Sequence, residues 1–133
     1  MSQENVEAYK RGLDAFNRRD VEAMLQELDP EVEWLTLATI IEKTRYRGHD
    51  GVRQWIEDVR RDWVTWEVHA DEIVDLGERI LVLGSWRAQG RHGGAALDIP
   101  QAAWLLKFRG GKIRRFETFT ERSKALEAAG LPE

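Results

Sequence analysis

The feature that most constrains the fold of this chain is a change of hydrophobic period near residue 64. Before it, apolar residues such as Val6, Tyr9 and Leu13 recur every three or four positions, which predicts amphipathic helices. After it, apolar and polar residues alternate, which predicts strands. Turn sequences at 75–78, 91–94 and 110–111 separate four such strands. Strands that short turns connect must run antiparallel to their neighbours.

The order of the predicted elements indicates an α+β fold. The pattern predicts helices over 2–16 and 21–28, a strand over 31–37, a helix over 50–63, strands over 64–74, 79–90, 95–109 and 112–120, and a short C-terminal helix over 121–129. We expect a curved antiparallel sheet that wraps around the N-terminal helices. Such a sheet leaves a conical cavity, open at one end, where a small molecule can bind.

Composition excludes several classes of protein. The 133 residues fit one domain, 1–133, and contain no cysteine, so disulfides, thiol nucleophiles and cysteine-type zinc sites are excluded. His49, His69 and His92 are scattered without metal-ligand spacing, and no dinucleotide or phosphate-binding motif occurs. We therefore expect no metal and no cofactor. No apolar run approaches the roughly 18 residues of a membrane span, and we expect a cytoplasmic protein with no membrane partner.

The segment 87–115 is unusually basic, with seven Lys or Arg residues and one acid, Asp98. It could form an anion or nucleic-acid patch, or the solvent side of an antiparallel sheet with cations at a hairpin end. The whole chain has a formal net charge of −4 and no aromatic RNA-binding motif. We prefer the second interpretation and expect no nucleic-acid partner.

Four segments carry a resemblance to a known family. They are 12–20 (GLDAFNRRD), 46–52 (YRGHDGV), 109–116 (RGGKIRRF) and 124–131 (KALEAAGL). With the order of elements, they resemble the nuclear transport factor 2-like superfamily, and within it the SnoaL-like polyketide cyclase and ketosteroid isomerase-related proteins. The resemblance covers nearly the whole chain and implies the conical fold. It does not imply one chemistry, because isomerases, cyclases, dehydratases, epoxide hydrolases and binding proteins share the fold.

The acids and bases of catalytic relatives are missing at the matching positions. By resemblance, the tyrosine donor of a ketosteroid isomerase falls at Gly12, its base at Trp34 or Leu35, and its acidic donor at Trp104. The histidine that many SnoaL-like relatives carry also falls at Trp104. The Asp-Arg-Asp triad of an epoxide hydrolase falls, by the same resemblance, at Trp86, Ala88 and Thr118; a strand register shifted by one would replace Trp86 and Ala88 with Arg87 and Ser85.

Tryptophans replace these polar groups, so we predict an aromatic pocket for a small hydrophobic ring molecule. Its predicted lining is Phe16, Trp34, Trp55, Val59, Trp86, Trp104 and Thr118. The alternative is that the indoles fill the cone, and a cavity below about 100 Å³ would favour that alternative, because typical ligand pockets measure roughly 300–1,000 Å³.

Three polar residues are weak catalytic candidates. Glu117 becomes a buried base only if the last strand turns it inward in place of Thr118. His69 lies on a strand that also carries surface residues, and Arg87, if inward, could hold a carboxylate or enolate. The function is then either a cofactor-independent isomerase or cyclase or a non-catalytic binding or accessory domain. We also expect a homodimer through the outer sheet face, to which Leu105 and Phe119 contribute apolar area.

Overall fold

The computed structural model describes residues 2–132, which form five helices and a six-stranded sheet. The helices are α1 (Ser2–Asn17), α2 (Val21–Leu25), α3 (Leu37–Glu42), α4 (Gly48–Asp62) and α5 (Arg122–Ala129). The strands are β1 (Leu28–Leu35), β2 (Tyr46–Arg47), β3 (Trp63–Asp75), β4 (Arg79–Gly90), β5 (Ala96–Arg109) and β6 (Lys112–Phe119). Within the described range, no helix has both the length and the apolar character that a membrane span needs.

The sheet is curved, does not close, and has the strand order β2-β1-β6-β5-β4-β3. The α+β architecture and the three hairpins between β3 and β6 are confirmed. The sheet is mixed rather than wholly antiparallel, because β1 pairs with β6 in parallel. Short turns fix direction only for the strands that they connect, and no turn connects β1 to β6. The rule about short turns therefore could not predict the direction of this pair.

The β1 segment begins earlier than the sequence pattern predicts, at Leu28, and includes Pro30. Asp20 caps α2 as its position suggests, accepting a hydrogen bond from Ala23 N at 3.1 Å, but α2 ends at Leu25. The β1–β6 register is irregular between Leu28 and Glu33, and Pro30 lies in that interval. Proline has no N–H to donate and is tolerated where the ladder is interrupted.

The short elements α3 and β2 lie where the sequence analysis predicted a loop. Helix α3 ends at Glu42, and its C-cap residue Lys43 adopts a left-handed conformation with φ 64°. Strand β2 is only two residues long and pairs with β1 at the edge of the sheet. Neither element is long enough to produce a recognisable hydrophobic period.

The sheet is apolar on both faces of β4. Ile80 and Val82 join the main core with the N-terminal helices, whereas Leu81 and Leu83 join a second cluster with Ala125 and Ala129 of α5. Leu105 and Phe119 also pack against this second cluster. The apolar area that was expected to be open for a second copy is therefore partly covered by the chain's own C-terminal helix.

Candidate functional site: an aromatic cavity in the cone

The candidate site is a cavity of about 70 Å³ between the concave face of the sheet and the N-terminal helices. Eight of its lining residues are aromatic: Tyr9, Phe16, Trp34, Trp55, Trp66, Trp86, Trp104 and Phe116. The other lining residues are Gly12, Leu13, Met24, Leu28, Thr36, Leu37, Val68, Leu106, Ile113 and Thr118. Among these described lining residues there is no Asp, Glu, His, Lys or Arg. The site is therefore apolar apart from hydroxyl and indole N–H groups.

Strand register places the aromatic rings on one face. Trp34 of β1 pairs with Phe116 of β6, and Trp104 of β5 pairs with Thr118 of β6. Successive residues of a strand point to opposite faces, so Phe116 and Thr118 share the concave side. Trp86 of β4 pairs across to Val68 of β3, which extends the same row of side chains to the edge of the sheet.

The rings contact each other in a continuous series. Phe116 stacks on Trp34 with ring centroids 4.0 Å apart, and Trp34 contacts Trp55 at 5.4 Å. Trp55 contacts Trp66 at 6.1 Å, and Trp66 contacts Trp86 at 4.6 Å. This packing explains why so little open volume remains. An engineered apolar cavity that binds benzene measures about 150 Å³, roughly twice the volume found here.

Six of the seven predicted pocket residues lie on the cavity wall. They are Phe16, Trp34, Trp55, Trp86, Trp104 and Thr118. Val59 does not: it is buried in the core on α4 and borders a separate surface depression of about 150 Å³. It lies on the same helix face as Trp55, but one turn further along, which takes it past the end of the cavity.

The sequence analysis did not include Tyr9, Trp66 and Phe116 among the pocket residues, although a signal existed for each. Tyr9 belongs to the same helical stripe as Phe16. Leu13 lies between them, four residues after Tyr9 and three residues before Phe16. Phe116 has the strand parity of Thr118. Trp66 opens the alternating pattern that begins β3, but only the pairing of β3 with β4 brings it against Trp86.

None of the three polar candidates lies in the cavity. Glu117 points to the opposite face, where Arg115 Nη2 lies 3.4 Å from its Oε1. His69 is exposed on β3, the edge strand. Arg87 is exposed and its Nε lies 3.8 Å from Asp98 Oδ1. Each is next in its strand to a residue that lines the cavity, namely Thr118, Val68 or Trp86. Successive side chains of a strand point to opposite faces, so each candidate points away from the cone.

The polar side-chain groups that remain at the cavity are hydroxyls and indole N–H groups. Burial raises the pKa of the Tyr9 phenol, so this hydroxyl stays protonated and is a donor rather than a base. The Trp34 and Trp86 side chains are 4% and 1% exposed, and neither indole Nε1 has a hydrogen-bond partner among residues 2–132. Over the same range, no group of three or more acidic or histidine side chains is placed to hold a metal ion.

Comparison with known proteins gives a family match and several similar structures. The family model described as the SnoaL-like domain matches residues 9–116. An NTF2-like protein of unknown function from Burkholderia pseudomallei is 25% identical, with a TM-score of 0.77 over 93% of this chain and 95% of that one. TerC, co-crystallised with polyporic acid, is also 25% identical, with a TM-score of 0.75 over 93% and 96%.

A third structure shows the likeness of fold alone. It is a protein with a ketosteroid isomerase-like fold from Catenulispora acidiphila, in complex with trimethylamine. It is 16% identical, with a TM-score of 0.73 over 95% of this chain and 94% of that one. The search of curated proteins gave no match.

Proposed function

Because this chain belongs to the SnoaL-like domain family, we propose that it binds one small hydrophobic ring molecule in its cone. The observation that carries the proposal is the cavity lining, which combines eight aromatic side chains with no ionisable acid or base other than the Tyr9 phenol. Flat apolar walls of this kind favour a flat apolar ligand. TerC, which is 25% identical with a TM-score of 0.75, was co-crystallised with polyporic acid, and this supports the binding of a small molecule here.

Binding requires the wall to move, because the open volume is only about 70 Å³. The lining residues include one methionine, Met24, and several aliphatic side chains such as Leu37. A methionine has three rotatable bonds and adapts readily to a new neighbour. We expect a ligand of one ring to enter by displacing such side chains, while the stacked rings keep their places.

Binding is favoured over proton-transfer catalysis in this proposal. General acid–base groups each contribute roughly 10²- to 10⁴-fold in rate, and an oxyanion donor contributes a similar factor. The Tyr9 hydroxyl is a donor only, and Glu117, His69 and Arg87 face away from the cavity. A cofactor-independent isomerase or cyclase would therefore lack its base. If catalysis nevertheless occurs, alanine variants of these three residues should leave the rate unchanged.

A filled cone is the second candidate, and the cavity volume favours it. The cavity measures about 70 Å³. Typical ligand pockets are larger, and a cavity below about 100 Å³ favours a filled cone. In that case the rings act as core, and the protein is a non-catalytic accessory domain. The homodimer expected through the outer sheet face belongs to either candidate. Light scattering should then give twice the monomer mass of 15.4 kDa, and a monomer at micromolar concentration would remove that expectation.

A ligand titration separates the two candidates. Benzene, a single flat apolar ring, is titrated into the protein while tryptophan fluorescence and melting temperature are followed. A ligand at ten times its dissociation constant adds about 1.4 kcal/mol to the free energy of unfolding, which raises the melting temperature by several degrees. Unchanged fluorescence and melting temperature up to the solubility limit of benzene, and likewise with the neutral ring pyrazine, would contradict the binding proposal and leave the filled cone.

Two matched variants locate the site. Val68 lines the cavity on β3, whereas Val64 lies on the same strand and is 51% exposed. We expect Val68→Phe to abolish the benzene response by filling the remaining volume, and Val64→Phe to preserve it. Equal responses in the two variants would place the binding site elsewhere.

A further inference from the structure

Three buried polar side-chain atoms of cavity-lining residues have no partner among residues 2–132: Thr36 Oγ1 and the indole donors of Trp34 and Trp86. The indole Nε1 atoms of Trp34 and Trp86 are inaccessible to solvent, and neither is hydrogen-bonded to any of residues 2–132. The main function of an indole in a core is to fill space, but its N–H usually finds an acceptor when it is buried. Two unpaired indole N–H groups at one cavity therefore need an explanation.

Leaving these donors unpaired is costly. A buried donor without a partner costs roughly 1–3 kcal/mol relative to the hydrated group. The remaining wall offers little compensation, because the indoles of Trp55, Trp66 and Trp104 can only donate, and the other polar side chains are the hydroxyls of Tyr9, Thr36 and Thr118. A molecule that occupies the cavity and carries an acceptor would remove this cost.

The two donors lie on well-separated strands. In the strand order β1-β6-β5-β4, Trp34 and Trp86 are three strand spacings apart, about 14 Å along the sheet. A ligand that lies between these two strands therefore has one indole on each of two sides.

We infer that the ring molecule in the cone carries a hydrogen-bond acceptor at each of two opposite edges, one for Trp34 Nε1–H and one for Trp86 Nε1–H. This inference rests on the proposed binding function and makes it more specific. The ligand class is a neutral ring with opposed carbonyl oxygens or ring nitrogens. A plain hydrocarbon would leave both N–H groups unpaired. An alkylammonium ion would gain from the ring faces but would likewise offer no acceptor to either indole.

Benzene and pyrazine form the matched pair of probes. Both are flat six-membered rings of the same shape, but pyrazine has a nitrogen acceptor at each of two opposite positions and is neutral at pH 7. Each is titrated into protein labelled with ¹⁵N in the tryptophan side chains, and the indole N–H resonances are followed. The resonances are assigned with Trp→Phe variants. We expect pyrazine, and not benzene, to shift the Trp34 and Trp86 indole protons downfield.

The variants Trp34→Phe and Trp86→Phe remove one donor each while keeping an aromatic ring. A single neutral hydrogen bond changes affinity by roughly 2- to 10-fold. The ratio of pyrazine to benzene affinity should fall by that factor in each variant, and the ratio cancels any general effect of a looser core. Trp63→Phe is the control, because Trp63 borders the separate surface depression and not the cavity. Its ratio should equal that of the wild type.

The outcomes distinguish this inference from the function on which it rests. If both rings bind but the affinity ratio is the same in wild type, Trp34→Phe and Trp86→Phe, the inference is wrong while ring binding stands. If neither ring binds, the proposed function fails and the inference fails with it. The shift of the two indole protons in the wild-type protein keeps the test valid even if a variant folds poorly.

Discussion

Trp34 and Phe116 stack almost face to face, with ring centroids 4.0 Å apart and planes 11° apart. They are directly paired in the parallel register of β1 and β6, the one parallel pair in the described sheet. The stack fixes the edge of the cavity at which β1, β6 and the N-terminal helices meet. It therefore couples the parallel pairing to the shape of the candidate site.

Removing one ring of this stack should destabilise the protein. Phe116→Ala deletes a half-buried ring, and such substitutions cost about 3 kcal/mol at the lower end of the range for Phe→Ala. Urea unfolding followed by circular dichroism measures the loss. A cost below about 1 kcal/mol would show that the stack contributes little to stability. Val64→Ala, an exposed position on β3, is the control and should be nearly neutral.

Gly84 should tolerate no larger residue. A Cβ at this position would overlap the backbone carbonyl oxygen of His69 on the neighbouring strand β3. We expect Gly84→Ala to destabilise the protein by about 1–3 kcal/mol, as overpacking does. Gly12→Ala, within helix α1, is the matched control, because a Cβ there would lie at an ordinary contact distance of 3.8 Å from the Glu27 side chain. Alanine there should stabilise the protein by up to about 1 kcal/mol, and equal effects at both positions would refute the steric argument.

The carboxylate of Asp29 should contribute to acid sensitivity. The backbone N–H of Glu31, at 2.8 Å, and then the guanidinium of Arg109 hold the pKa of Asp29 below its usual value. The folded state thus favours the charged form. The stabilisation is complete above the unfolded-state pKa of about 3.9 and is lost as the pH falls through the lower folded-state pKa.

Replacing this carboxylate should flatten the acid limb of the stability curve. Asp29→Asn cannot titrate, so its free energy of unfolding should fall less steeply than that of the wild type between pH 5 and pH 2. The measurement is urea unfolding at a series of pH values. Asp14→Asn is the comparison, because Asp14 is an exposed carboxylate paired with Arg18 on the helix surface. Parallel curves for wild type and Asp29→Asn would contradict the expectation.

Both tyrosines should resist ionisation in the folded protein. Burial raises the pKa of Tyr9, and burial together with the hydrogen bond to Asp58 raises the pKa of Tyr46. The chain has only these two tyrosines, so the phenolate absorbance near 295 nm reports on them alone. We expect almost no phenolate signal at pH 10, where an unperturbed tyrosine is half ionised.

The same pKa shifts predict how the stability of the protein changes at alkaline pH. Because folding favours the neutral phenols, stability is complete below the unfolded-state pKa of about 10 and declines as the pH rises above it. Phenolate absorbance should appear together with the loss of the folded circular dichroism signal. A phenolate signal of about half its final value at pH 10, with the fold intact, would overturn this prediction.

Local patterns in the sequence predicted most of the elements and much of the site. The alternation after residue 64, with its three turns, gave the antiparallel order of β3 to β6, because adjacent strands with short turns have no other way to pair. Parity along β6 favoured Thr118 inside and Glu117 outside, as the structure places them. The parallel β1–β6 pair escaped prediction because the pairing partner lies far along the chain.

The amount of open space in the cone could not be predicted from the sequence. Composition supplied six tryptophans and no cysteine, and the family resemblance implied that Trp34, Trp86 and Trp104 lie in the cone. Whether the indoles enclose a pocket or fill it depends on rotamers and on contacts such as Trp66 with Trp86, at 4.6 Å, between strands whose spacing is a tertiary property.

The sequence by itself was thus enough to specify the main helices and the four hairpin-linked strands, because period and residue type act locally, and the family resemblance implied the cone and its missing acids and bases. Three-dimensional packing alone decided that the cavity measures about 70 Å³ and that Trp34 and Trp86 keep unpaired N–H groups at its wall. Volume and hydrogen-bond satisfaction are set by the simultaneous positions of residues from β1, β4, β6 and α1, and no local segment contains that information.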